Sequence, residues 1–214
     1  MSEAILKLKD AIISYDKNLA TQMAEEALNE GVNPGKILDV TTEVIREIGD
    51  KFGKGELFLP ELVGAASAMS GAIAIVEEEI EKTGQAVEKI GTIVLGTVKG
   101  DLHDIGKTMV KTFLVAENFR VIDLGVDVST EKFIEAIDKY KPDVLALSAL
   151  LTTTVTNQRK TIEALVEKGI RDKVKVVIGG AAANQDYADE IGADGFEGTA
   201  PRAPRLCKRL LGKE

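Results

Sequence analysis

The sequence predicts an α/β protein in two parts: a four-helix bundle over residues 1–85, then a doubly wound, five-stranded parallel-sheet domain over 88–214. Three observations predict it. In the first 85 positions apolar residues recur only at helical spacing. From about residue 90, short β-branched runs alternate with helical stretches, as in a parallel sheet covered on both faces. Charge divides at the same place: residues 1–88 hold 8 basic and 17 acidic side chains, and residues 89–214 hold 19 and 18.

Each element can be justified in turn. Ile5, Leu6, Leu8, Ile12 and Ile13 mark a first helix, and the span from Leu19 to Leu28 a second. Gly31 ends the second, and Pro34 opens a third near its first turn. Ile37, Leu38, Thr41, Val44, Ile45 and Ile48 share one face of the third, which runs to Phe52 before Gly53-Lys54-Gly55 breaks it. The fourth carries Leu59, Leu62, Ala66, Met69, Ile73, Val76 and Ile80 in steps of three and four, a bundle seam. Thr83-Gly84-Gln85 reads as the linker. Strands then follow at Thr92–Val98, Arg120–Leu124, Asp143–Ser148, Val174–Ile178 and Gly195–Phe196. Helices lie between and after them at 106–118, 130–140, 155–169, 185–192 and 201–211. In such flavodoxin-like (Rossmann-like) sheets, ligands bind beyond the carboxyl ends of the strands. Functional residues should therefore follow the first, third and fourth strands.

Composition narrows the function classes. Hydrophobic residues at 44% and charged residues at 29% are ordinary for a globular chain. No run of about 18 consecutive apolar residues stands out as a membrane span. MSEAILKLKD lacks the apolar stretch of a secretory signal, so a cytoplasmic location is expected. The one cysteine, Cys207, allows no internal disulfide and no multi-cysteine metal site. An acidic first part and 4% aromatic residues argue against binding nucleic acid.

Three strand ends carry the chemistry. The first is followed by Lys99-Gly100-Asp101-Leu102-His103-Asp104-Ile105-Gly106, which holds the only histidine of the chain. A ligating histidine usually gives its other ring proton to a carboxylate, and Asp101 is placed for that. One histidine cannot hold a bare metal ion, but it can complete the coordination of a metal already held by a macrocycle. The third strand runs out through Ser148, Leu150, Thr152 and Thr154, a hydroxyl-bearing wall. The fourth ends in Gly179-Gly180 and small residues that admit close approach to the backbone. Taken singly, each has a plainer reading. His103 can be a solvated or helix-capping residue, Gly179-Gly180 a turn, Ser148 the end of a strand, and Cys207 a packing residue beside Leu206 and Leu210.

Together, Asp101-x-His103-x-x-Gly106, Ser148-x-Leu150 and Gly179-Gly180 resemble the cobalamin-binding signature of the corrinoid methyltransferase family. GTVKGDLHDIGK is similar to the matching segment of cobalamin-dependent methionine synthases, and KFGKGELFLPELV to that family's cap domain. The resemblance spans about residues 5–212 and implies a two-domain corrinoid protein serving methanol, methylamine, betaine or aryl methyl ether demethylation. It implies that His103 is the lower axial ligand of cobalt, with Asp101 bonded to His103 and Thr154 to Asp101. It implies that Asp104, Ile105, Gly106, Ser148, Leu150, Thr152, Gly179 and Gly180 contact the cofactor and its displaced nucleotide tail. Phe52, Leu59 and Leu62 match the cap positions over the methyl group. Two departures from the family pattern stand out: Thr108, where asparagine is common, and the Gly192–Ala200 loop, which lacks an aspartate-alanine pair.

The expected function is a methyl carrier without catalytic residues of its own, inactive alone, in which cobalt cycles between Co(I), Co(II) and methyl-Co(III). Its expected partners are a substrate-specific methyltransferase, an acceptor methyltransferase using tetrahydrofolate or a thiol, and a reductive activator, with neither nucleic acid nor membrane. Three alternatives share part of the pattern. Radical mutase subunits carry the histidine loop but lack the helical part, and cobalamin-dependent regulators add a basic DNA-binding module. A flavodoxin-like signalling domain would bind no cofactor.

Overall fold

The structure, a computed structural model, describes residues 2–84 and 89–213. Gln85 of the expected linker lies outside the described residues. The chain divides into two compact units, residues 1–88 together with 116–118, and the remainder.

The first unit contains α1 (Glu3–Ile13), α2 (Lys17–Asn29), α3 (Pro34–Gly53) and α4 (Leu59–Thr83). Local chemistry sets their ends. Asp16 accepts the Leu19 N–H at 2.9 Å, and Asn33 accepts the Gly35 N–H at 2.8 Å just before Pro34. Glu61 accepts the Phe58 N–H at 2.6 Å at the start of α4, and Gly84 closes its far end in the left-handed region. The core is built from Ile5, Leu8, Ile12, Met23, Ile37, Ile45, Leu62, Met69 and Val76. The buried face of α4 is wider than a two-position seam, because Ala65, Ala68, Gly71 and Ala72 are buried too. At Gly71 an added Cβ would lie 2.5 Å from the Thr21 hydroxyl, so the glycine lets α2 and α4 pack closely.

That composition makes α4 unusually apolar for a bundle helix. α4 is a helix long and apolar enough to cross a membrane, and half of its most apolar stretch is buried. Alanine and glycine rather than a solid leucine run make it so. The bundle accounts for the apolarity, since these small residues fill the contacts with the neighbouring helices.

The second unit is a five-stranded sheet of β1 (Thr92–Thr97), β2 (Arg120–Asp123), β3 (Val144–Ser148), β4 (Lys175–Gly179) and β5 (Gly195–Phe196). All pairings are parallel, in the order β2-β1-β3-β4-β5. The helices α5 (Ile105–Ala116), α6 (Thr130–Tyr140), α7 (Thr156–Glu167), α8 (Gln185–Ile191) and α9 (Ala203–Leu210) connect and follow the strands. Alternate strand residues feed two cores. Val94, Leu145, Leu147, Val176 and Ile178 pack with Phe133, Ile137, Ile162 and Leu165 of α6 and α7. Ile93, Leu95, Val144, Ala146 and Val177 pack with Leu114 of α5 and with Leu206 and Cys207 of α9. The strand order reverses between β1 and β3, which places the crevice of a doubly wound sheet at their carboxyl ends.

Candidate corrinoid site

The loop from β1 to α5 lies at that reversal. Asp101 is wholly buried, and each of its carboxylate oxygens is occupied. Oδ1 receives the His103 backbone N–H at 3.1 Å and lies 2.7 Å from His103 Nδ1. Oδ2 receives the Thr154 hydroxyl at 2.6 Å and the Leu150 N–H at 2.8 Å. Burial pushes the Asp101 carboxyl up. The hydrogen bonds from Thr154, from the His103 ring and from the His103 and Leu150 amides outweigh it and hold the group well below the usual carboxylate range. An ionised carboxylate only accepts, so Nδ1 carries the proton in this bond and Nε2 is the nitrogen left for a metal. The ring is about half exposed, at 49%.

The loop itself is held from several sides. Thr97 donates its hydroxyl to the His103 carbonyl at 3.0 Å. Asp127 accepts the Gly100 N–H at 2.8 Å and gives its own N–H to the Asp101 carbonyl at 3.0 Å. Asn157 of α7 donates to the Lys99 carbonyl at 2.7 Å. The histidine therefore sits on a fixed support.

Beside His103 a cleft of about 300 Å³ opens between α5 and α9. Its mouth is formed by His103, Gly106, Ser148, Leu150, Gly179 and Gly180, and Glu197 and Gly198 also line it. Gly180 has φ +109°, and a Cβ there would fall 1.9 Å from the Ala149 carbonyl oxygen. Only glycine permits this close packing of the two strand ends. Gly106 is different, because a Cβ there would meet nothing within 4 Å. No protein contact requires that glycine; the space belongs to the cleft.

The structure thus brings together Asp101, His103, Thr154, Gly106, Ser148, Leu150, Gly179 and Gly180. Asp104, Ile105 and Thr152 are exposed nearby, Ile105 at 62% and Leu102 beside it at 71%. In the bundle, Phe52 is half-buried on the last turn of α3 and Leu59 is 47% exposed at the start of α4. Leu62 is wholly buried, so its side chain supports the bundle and presents no surface to a ligand. The deep walls were missed by sequence reasoning: Val110 and Leu114 of α5, the row Leu95, Ala146 and Val177, and Ala203, Leu206 and Cys207 of α9. One signal was present, since Gly106, Val110 and Leu114 recur at four-residue spacing with the smallest first. Cys207 packs in the core, as its burial requires, and lines the cleft as well.

A family described as B12 binding domain matches residues 91–206, and a second B12 binding domain matches residues 4–77. The trimethylamine corrinoid protein of Methanosarcina barkeri is 43% identical over 210 residues, 98% of this chain and 97% of that one. The chain belongs to the B12-binding corrinoid proteins. The dimethylamine corrinoid protein of Methanosarcina barkeri is 42% identical, covering 98% of each chain. A chain of the methanol:cobalamin methyltransferase complex MtaBC from Methanosarcina barkeri matches the whole of this one and 81% of its own length. Its TM-score is 0.83 at 29% identity. As a corrinoid protein, this chain has residues that fit the cofactor: an imidazole nitrogen left for cobalt, a glycine facing open space, and a cleft alongside.

Proposed function

We propose that this chain is the methyl carrier of a corrinoid-dependent methyltransferase system. It would accept a methyl group from a substrate-specific methyltransferase and give it up to an acceptor methyltransferase that methylates tetrahydrofolate or a thiol. The names of the relatives favour methylated amines as the donor class. The observation that carries the reading is the buried Asp101 bonded to His103 at the sheet's switch point. The bound corrinoid supplies the cobalt that takes up and releases the methyl group.

The protein's own residues supply the rest. His103 Nε2 would ligate cobalt, while Asp101 fixes the ring's tautomer and orientation and Thr154 and Leu150 fix Asp101. The cleft between α5 and α9 would receive the tethered base that His103 displaces. Asp104, Ile105 and Thr152 would edge the macrocycle. The bundle would serve as a lid for the methyl group that must move to admit a partner, and Phe52 and Leu59 are the side chains that would guard it. A reductive activator would restore cobalt after accidental oxidation. We place the carrier in the cytoplasm, where a single buried thiol stays reduced. The helical unit, matched by its own B12 binding family, favours this reading over a radical mutase subunit or a regulator.

The test is paramagnetic resonance of the Co(II) form made with histidine carrying heavy nitrogen. Labelling should change the superhyperfine pattern, and His103→Ala should abolish the effect while keeping the helical signal of the fold. A pattern indifferent to the label removes His103 as the ligand.

A further inference from the structure

The cleft beside His103 changes character with depth. Polar side chains stand at or near its mouth: Ser148, His103, and Glu197, whose carboxylate accepts the Thr199 hydroxyl and amide at 2.9 Å. Lys107 also lines it, but its ammonium is bound to both oxygens of Asp123 at 2.8 Å. Two residues further down the strands the lining is apolar. Leu95, Ala146 and Val177 are in register across β1, β3 and β4 and form a floor about 7 Å below the strand ends. The backbone there is engaged in the sheet. Val110 and Leu114 make one wall, and Leu206 and Cys207 the other. Burial pushes the Cys207 thiol up to about 12, so it is a neutral, weak donor at any working pH. An occupant of the deep part finds no strong hydrogen-bond partner among these side chains.

Resting on the carrier reading above, we propose that this cleft selects among corrinoids by the polarity of their tethered base. It takes benzimidazole-type bases in preference to purines, and Leu206 and Cys207 set the choice. A corrinoid whose lower face is held by His103 cannot keep its own base on cobalt, and the cleft opens next to that histidine. The outer edge of a benzimidazole carries only carbon-bound hydrogens, which suit an apolar floor. The corresponding edge of adenine carries an amine and a ring nitrogen, which would leave water and meet methyl groups. Burying polar atoms unpaired is what separates otherwise similar ligands.

The experiment is titration of the full-length apoprotein with three corrinoids, followed by absorbance. Cobalamin carries the benzimidazole, an adeninyl cobamide the purine, and cobinamide no base at all. Cobalamin should bind about 10- to 100-fold more tightly than the adeninyl form, and cobinamide more weakly than cobalamin. Cys207→Ser, nearly equal in size, should narrow the ratio by favouring the purine, and Leu206→Gln should narrow it further. Thermal melts of each apoprotein identify a variant that fails to fold, and Cys207→Ser is the decisive one of the pair. Equal affinity for cobalamin and the adeninyl form overturns the selectivity but leaves the carrier reading intact. Cobinamide binding as tightly as cobalamin shows that the base does not occupy the cleft, which overturns the proposal at its root. An unchanged ratio in folded Cys207→Ser removes Cys207 from the assignment. Failure of all three corrinoids to bind overturns the carrier reading itself.

Discussion

In the bundle, the acidic side chains that hold their protons least tightly lie at the surface, each beside a lysine one turn further on. Glu3 pairs with Lys7, Glu47 with Lys51 and Glu78 with Lys82, each at 2.8 Å, and each carboxyl is held below its usual range by that neighbour. In the sheet domain three such groups are partly or wholly buried and accept backbone amides. Asp101 holds the histidine loop, Asp123 accepts the Gly125 N–H at 2.9 Å after β2, and Asp194 accepts the Val176 N–H at 2.7 Å before β5. The lysine-paired glutamates on the bundle's surface confer charge and solubility, at little energetic consequence for any one pair. Those three acids of the sheet domain fix the loops from which a binding site is made. A lysine-paired glutamate on the bundle's surface is therefore more replaceable than Asp101, Asp123 or Asp194 in the loops of the sheet domain.

The comparison can be broken most forcefully through the glycines of the sheet domain. Gly180→Val should cost about 3 kcal/mol or more in chemical denaturation, because it adds a Cβ against the Ala149 carbonyl at positive φ. Gly106→Ala should change stability by less than about 0.5 kcal/mol, since its Cβ meets no protein atom. It should nevertheless weaken corrinoid binding. Equal stability losses would mean that Gly106 is a folding residue and that the open space beside it has no ligand role.

Asp101→Asn comes next. The amide has one accepting and one donating end, whereas the site presents donors to both oxygens. If its oxygen faces Leu150 and Thr154, its NH₂ faces His103 Nδ1, and the ring must shift its proton to Nε2, the nitrogen meant for cobalt. The opposite orientation sets NH₂ against the Leu150 amide. A loss of about 1–3 kcal/mol in stability is expected, with a shifted Co(II)/Co(I) potential. Retention of both values would reduce Asp101 to a loop cap.

Much of this was legible in the sequence. Helical spacing up to Ile80 and β-branched runs from Thr92 locate the α-helices and strands described above to within a few residues, because each element's apolar face must meet a core. Asp101, His103 and Thr154 could be named because short-range spacing and a strand end brought them into one loop system. The deep cleft could not be read in the same way. Its walls combine Leu95, Val110 and Leu206, which are remote in sequence, and an apolar residue lining a cavity looks the same in sequence as one filling a core. The width of the α4 seam was hidden for a related reason, since alanine and glycine report burial weakly.

Acid should separate the two units. Burial pushes the Asp123 and Asp194 carboxyls up. The Lys107 ammonium and the Gly125 amide overcome this at Asp123, and the Val176 amide and Arg171 at Asp194, so both end below their ordinary values. A carboxyl depressed in the folded state adds stability above its unfolded value, near 4. That stability is lost as pH falls from there towards the folded value. Hydrogen exchange of the whole chain between about pH 5 and 3 should thus quicken first in the strands β2, β4 and β5. The bundle, with 17 acids against 8 bases in residues 1–88, is relieved of self-repulsion by the same protons. Uniform quickening would show that the loop acids do not govern the sheet's acid stability.

The start of α4 gives the last contrast, where two leucines three residues apart divide the bundle's own labour. Leu62 is wholly buried, and Leu62→Ala should cost about 2–5 kcal/mol through lost contacts and a residual cavity. Leu59 is 47% exposed, with Phe58 beside it at 68%, so Leu59→Ala should cost less than about 0.5 kcal/mol. Exposure of Leu59 is what the proposed lid requires of a side chain that guards a light-sensitive methyl group. Light splits methylcobalamin into a radical pair that recombines when confined and separates when uncovered. Under fixed illumination, Leu59→Ala and Phe52→Ala should therefore lose the methyl form faster than the parent chain. Comparison at matched stability, set by adjusting temperature, keeps partial unfolding from producing the same result. Identical rates in the parent and both variants would take Leu59 and Phe52 out of the lid and leave their exposure to be explained by partner docking.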